Sequence, residues 1–147
     1  MYTKSAKEYS AVGLQTEVME ADPHKLIALL LEGALTRLSA AKVFIEQKNY
    51  VQKNAKIGNV LDIISALQAS LDLEKGGEIA LNLERLYDYM TRRLWDANRL
   101  NDAEIINEVM ALLLEIKAGW DGIRQDFEQL KEQGLVQMNN IKHELSV

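Results

Sequence analysis

Residues 71–94 read LDLEKGGEIALNLERLYDYMTRRL, and the centre of this stretch decides the fold. Gly76-Gly77 interrupts a helical pattern, because glycine gives up the most backbone freedom when it is ordered inside a helix. Downstream, Ile79, Leu83, Leu86, Met90, Leu94 and Ala97 recur at steps of three or four, which is one face of a 3.6-residue period. A glycine break followed by an apolar stripe in register predicts a helical hairpin.

Three further helices are predicted around this segment. Asp22-Pro23 supplies an N-cap acceptor and a proline at the first helical position, opening a helix that runs to about Gln47. A second starts near Asn49, carries Tyr50, Ile57, Val60, Leu61, Ile64, Leu67 and Leu71 on one face, and ends near Leu73. The third follows Gly77 and reaches about Asn98. The fourth starts at Asn101 with Glu104 as a capping-box partner. Its stripe is Ile105, Val109, Leu112, Ile116, Trp120, Ile123, Phe127 and Leu130. Four long helices joined by short loops form an antiparallel up-down bundle. The expected organisation is all-α: an arm or short helix over residues 1–21, a four-helix bundle over 22–130 and a loose extension over 131–147.

Composition narrows the function. A chain of 147 residues has the length of one domain and buries about 68–70% of its unfolded surface, so it needs no metal or disulfide for stability. It has no cysteine, which fits a reducing compartment. The net charge of −5 argues against nucleic-acid binding, which needs clustered Lys and Arg. Apolar runs reach only six residues, as at 26–31, far below the ~20 residues of a membrane span, and MYTKSAKEYSAVG has no signal-peptide apolar core. The expectation is a soluble cytoplasmic protein with no membrane insertion.

Catalytic chemistry finds no support. Bundle di-iron sites use Glu-x-x-His pairs, and neither His24 nor His143 has an acid three residues before it. Neither histidine belongs to a nucleophilic triad, and Gly76-Gly77 lacks the Lys-Ser/Thr sequel of a phosphate loop. A phosphotransfer histidine should stand exposed in mid-helix, whereas His24 lies in a first turn and reads as polar helix-end surface. No enzyme activity, metal or cofactor is expected.

Apolar surface exceeds what a bundle requires. A core-facing helix needs an apolar arc of ~100° or somewhat more. Leu26, Ile27, Leu29, Leu30, Leu31, Ala34, Leu35, Leu38, Ala41, Phe44 and Ile45 cover about two-thirds of the first helix at ~100° per residue. Ile106, Met110, Leu113 and Leu114 lie beside the main stripe of the fourth. Leu81 and Trp95 point away from the Leu83–Met90 face of the third, and Tyr87 and Tyr89 flank it. Part of this excess serves a wide core. The remainder suits a groove for an amphipathic client helix.

The letters carry more than the pattern. MYTKS with Tyr9, DPHKLIALLLEGALTRL, EKGGEIALNLERLYDYMTRRLWDAN and NDAEIINEVMALLLEIKAGW resemble, at fixed spacing, the motifs of the flagellar export chaperone family FliS. The resemblance covers most of the chain and ends near Leu130. It implies a cytoplasmic chaperone that binds the disordered C-terminal segment of flagellin, prevents premature polymerisation and assists delivery to the flagellar type III export apparatus. It also implies docking on an export gate protein through an arm aromatic, matched by Tyr9, although Ala6 and Lys7 occupy the place of the family's bulky aliphatic. A regulatory adaptor whose main client is an anti-sigma factor is the alternative. A coiled-coil scaffold would need heptads that Gly76-Gly77 and the capped breaks interrupt. Surplus surface and resemblance together place Tyr2, Tyr9, Ile27, Leu31, Leu81, Tyr87, Tyr89, Arg92, Trp95, Met110 and Leu114 on the partner-binding side.

Overall fold

Each helix begins where a side chain caps its free N–H groups. In the computed structural model, which describes residues 22–122, these are α1 (Pro23–Glu46), α2 (Tyr50–Ala69), α3 (Leu73–Leu100) and α4 (Ala103–Gly122). Asp22 accepts from Lys25 N–H at 2.8 Å, Asn49 from Gln52 N–H at 3.3 Å, and Asp72 from Glu74 and Lys75 N–H at 3.1 and 3.0 Å. Asp102, not Asn101, caps α4, with Glu104 N–H at 2.9 Å from its carboxylate. Asn101 is taken up instead by the end of α3, where it adopts left-handed backbone angles and its N–H returns to the carbonyl of Ala97.

The connections span two or three residues, so sequential helices run antiparallel. α1 packs against α2 and α4, and α3 packs against the same two helices from the other side. The α1–α2 and α3–α4 turns therefore share one end of the bundle. Asp22, the α2–α3 turn and Gly122 share the other.

The α1–α2 turn has both hydrogen bonds of a Schellman motif: Lys48 N–H reaches Ile45 O at 3.0 Å, and Asn49 N–H reaches Phe44 O at 2.8 Å. Lys48 occupies the left-handed position, φ 57°, that favours glycine. At the α2–α3 connection the helix breaks at Gly77, with φ 56° and ψ −137°, angles that L side chains avoid. The sequence places this break correctly but runs α2 too far. Ser70 ends the helix by donating its hydroxyl to Leu67 O at 2.6 Å, and residues 73–76 form one separate turn before the kink.

The core is a single cluster from all four helices, with Leu30 and Leu38 of α1, Ile57 and Ile64 of α2, Met90 and Leu94 of α3, and Ile106 and Leu113 of α4 wholly buried. Ile106 and Leu113 are core rather than surplus, because α4 meets both α1 and α3 and so buries a wider arc than one stripe. The wide arc of α1 has the same cause. Ile79 departs in the opposite sense: it belongs to the α3 stripe but is 58% exposed, lying at the end where the bundle opens.

One buried cation was not legible in the sequence. Lys53 donates to Asn98 O at 2.8 Å and Asn101 Oδ1 at 2.6 Å, with Tyr50 at 5.5 Å from its ammonium. It ties α2 to the α3–α4 turn, and burial pushes its pKa below the ordinary lysine value. Among the described residues no helix is long and apolar enough to cross a membrane.

Candidate functional site

α3 and α4 are joined by a polar clamp in the half nearest their turn. Glu108 accepts from Tyr89 Oη at 2.6 Å and from Arg93 Nε at 2.8 Å, and Arg93 also pairs with Asp96 at 3.2 Å. The Arg93 and Tyr89 hydrogen bonds hold the Glu108 carboxyl below the usual carboxylate range. The same contact with Glu108 raises Tyr89 above an ordinary phenol.

Toward the Gly77 end, a cleft of about 200 Å³ opens between these helices. Ile79, Leu83 and Tyr87 of α3 form one wall. Glu115, Ile116, Gly119 and Trp120 of α4 form the other, and Ile27 of α1 with Leu67, Ser70 and Leu71 of α2 completes the lining. Tyr87 is nearly buried there, and burial raises its pKa well above the usual phenol value. The hydroxyl of Ser70 is committed to Leu67 O, so the lining presents mainly hydrocarbon, with the exposed Glu115 carboxylate as its charged group.

The α4 wall is anchored by a reciprocal pair. His24 Nε2–H donates to Trp120 O at 2.8 Å, Trp120 Nε1–H donates to His24 O at 2.9 Å, and the rings stack at 5.0 Å and 11°. His24 is 5% exposed, which corrects its reading as helix-end surface: α4 returns alongside α1 and lays an indole on it. Lys117 adds ion pairs to Asp121 at 2.6 Å and Glu32 at 3.6 Å, and hydrogen bonding to Asp121 raises its pKa.

The description "Flagellar protein FliS" belongs to the family model that matches residues 5–126, a span that includes all four helices and every residue of the cleft. This chain is a member of the FliS family. It is 48% identical over 120 residues to flagellar secretion chaperone FliSB of Pseudomonas aeruginosa, covering 82% of this chain and 95% of that protein. With flagellar secretion chaperone FliS of Salmonella typhimurium it shares 48% over 125 residues, 84% and 93% of the two chains. Identity to the Bacillus subtilis flagellar secretion chaperone FliS is 30% over 106 residues, 72% and 78% of the two.

On this FliS-family bundle the residues singled out from the sequence separate into groups. Ile27 and Tyr87 meet in the cleft. Leu31 is wholly buried among the core residues and is not available at the surface, because α1 is flanked on two sides. Tyr89 belongs to the Glu108 clamp, and Met110 is half-buried against the core. Leu81, Arg92 and Trp95 share the outward face of α3, and Leu114 stands 54% exposed on α4. Tyr2 and Tyr9 lie outside the described residues, as do Ile123, Phe127, Leu130, His143 and the whole of the expected arm and extension.

Ile79, Leu83, Ile116 and Trp120 belong to the apolar stripes legible in the sequence, whereas Gly119 carries no such signal. Periodicity shows which way a side chain faces but not whether a neighbouring helix reaches it. These residues face inward at an end where the facing walls do not close.

Proposed function

We propose that this chain is a cytoplasmic flagellar export chaperone that binds the disordered C-terminal segment of flagellin, prevents its premature polymerisation and assists its delivery to the flagellar type III export apparatus. The supporting observation is the apolar cleft between Ile79, Leu83 and Tyr87 on one side and Ile116 and Trp120 on the other, in a bundle of the FliS family. An unfolded client that gains helix can lay an apolar stripe into such a cleft, trading chain entropy for buried surface. Coupled folding of this kind spreads affinity over an area often ~1,000–3,000 Å² and leaves the client releasable.

Calorimetry of the purified protein with the C-terminal segment of its cognate flagellin should show binding near one to one. Circular dichroism of the mixture should exceed the sum of the separate helical signals. Ile79→Asp, at an already exposed position, should weaken binding about tenfold or more, because it brings a carboxylate into an apolar contact. Absence of binding, or a spectrum that simply adds, rejects the proposal.

A further inference from the structure

The outward face of α3 carries an ordered pattern that the cleft does not use. Leu81, Asp88 and Trp95 follow one another at seven-residue intervals, and so do Arg85, Arg92 and Arg99. All six are exposed, and at ~100° per residue they fall within an arc of roughly 80° opposite Met90. Leu81 is 37% and Trp95 59% exposed, so apolar anchors stand at both ends of a stripe ~21 Å long at ~1.5 Å per residue. Arg85 and Arg92 form no ion pair or hydrogen bond among the described residues, whereas Arg99 is held by Asp96 at 3.2 Å and Asp88 accepts from Gln68 Nε2 at 2.9 Å. A chain of net charge −5 thus keeps two guanidinium groups outside any direct ion pair among the described residues, beside an exposed tryptophan.

We propose that this face is a second docking surface, separate from the cleft, for an acidic helical segment of a partner protein. The seven-residue spacing is the repeat at which two helices stay in register side by side. Guanidinium forks bind carboxylates in a bidentate manner and retain their charge at any physiological pH. The partner therefore places Glu or Asp opposite Arg85 and Arg92 and apolar residues against Leu81 and Trp95. Asp88 decides between classes of anion. Its carboxylate lies within the stripe and repels a ligand of continuous negative charge, such as a phosphate backbone or an anionic bilayer, but it is tolerated by a peptide that carries a neutral or basic residue there.

The test uses the whole chain and a synthetic helical peptide of three heptads, with leucine at the a and d positions and glutamate at e and g. A control peptide carries lysine in place of glutamate. The glutamate peptide should bind, more weakly as salt rises, and the lysine peptide should not. Arg85→Glu/Arg92→Glu should cost the glutamate peptide at least about tenfold in affinity and should give binding to the lysine peptide. Trp95→Ala should also weaken binding about tenfold, while Val51→Ser, an exposed apolar position elsewhere, should leave it unchanged. If the charge reversal disturbs the helical signal, Arg85→Ala/Arg92→Ala replaces it, with a severalfold loss expected. Equal binding of the two peptides, or unaltered binding by the arginine variants, overturns the proposal. So does tighter binding to phosphatidylglycerol vesicles than to the glutamate peptide, which would make the stripe a membrane contact.

Discussion

His24 and Trp120, at opposite ends of the described chain, exchange two hydrogen bonds through ring nitrogens and backbone carbonyls while their rings stack at 5.0 Å. The geometry requires a proton on Nε2 of His24, since a carbonyl can only accept. The pair joins the first turn of α1 to the 119–122 stretch of α4 and fixes the indole that edges the cleft. Trp120→Phe keeps an aromatic ring and removes one donor, so it should lower unfolding stability by about 1–2 kcal/mol. His24→Ala removes both the ring bond and the stack and should cost more. Urea unfolding of the two variants measures the order, and equal losses would mean that stacking adds nothing.

Met90 and Trp95 stand five residues apart on α3, one wholly buried and the other 59% exposed. Met90→Ala should destabilise by ~2–5 kcal/mol through the cavity it leaves. Trp95→Ala should change stability by only ~0.5 kcal/mol, as exposed substitutions do. Chemical denaturation of both variants tests the assignment, which a strongly destabilised Trp95→Ala protein would contradict.

Two left-handed positions give opposite outcomes. Lys48 holds a conformation that costs a side-chain-bearing residue ~1–2 kcal/mol. Lys48→Gly should therefore raise the thermal midpoint, with a gain of at most about 1 kcal/mol after the extra freedom glycine has when unfolded. Gly77→Ala should lower stability by ~1–3 kcal/mol, because φ 56° with ψ −137° is essentially reserved for glycine. The strain is in the backbone, since a Cβ there would meet no neighbouring atom.

The Glu108 clamp makes an acid-side prediction. Hydrogen bonds from Arg93, and next from Tyr89, lower the carboxyl pKa in the folded chain. A group lowered on folding contributes fully above its unfolded value, and that contribution fades as pH falls through the folded one. Glu108→Gln should therefore be less stable than the parent at neutral pH, and the difference should shrink on acidification below the usual carboxylate range. Denaturation midpoints measured from pH 7 down to about pH 3 follow this, because the titration spans the range between unfolded and folded carboxyls. A difference independent of pH would show that the clamp acts by packing alone.

Much of this architecture was present in the chain as local chemistry. Asp22-Pro23 dictates where α1 begins, because a capping oxygen and a proline are needed only there. Gly77 dictates the kink, because its backbone angles exclude other residues. The stripe from Leu83 to Ala97 dictates which face of α3 turns inward, and Leu81 and Trp95 are exposed as their angular position requires. Helix existence, order and facing follow from interactions a few residues apart, and FliS-family membership follows from letters at fixed spacing.

Only tertiary structure decided how far each inward face is covered. Leu31 and Ile27 stand on the same helix with the same apolar character, yet one is sealed between neighbouring helices and the other lines an open cleft. Ile79 and Met90 share a stripe, but only Met90 lies where the surrounding helices meet. His24 became a buried partner of Trp120, and Lys53 a cation that ties α2 to the α3–α4 turn, through contacts spanning 96 and 48 positions of the chain. Burial depends on which distant segments arrive at a position, and no local period records that. The bundle was written along the chain, while the cleft arose from where its helices fail to close.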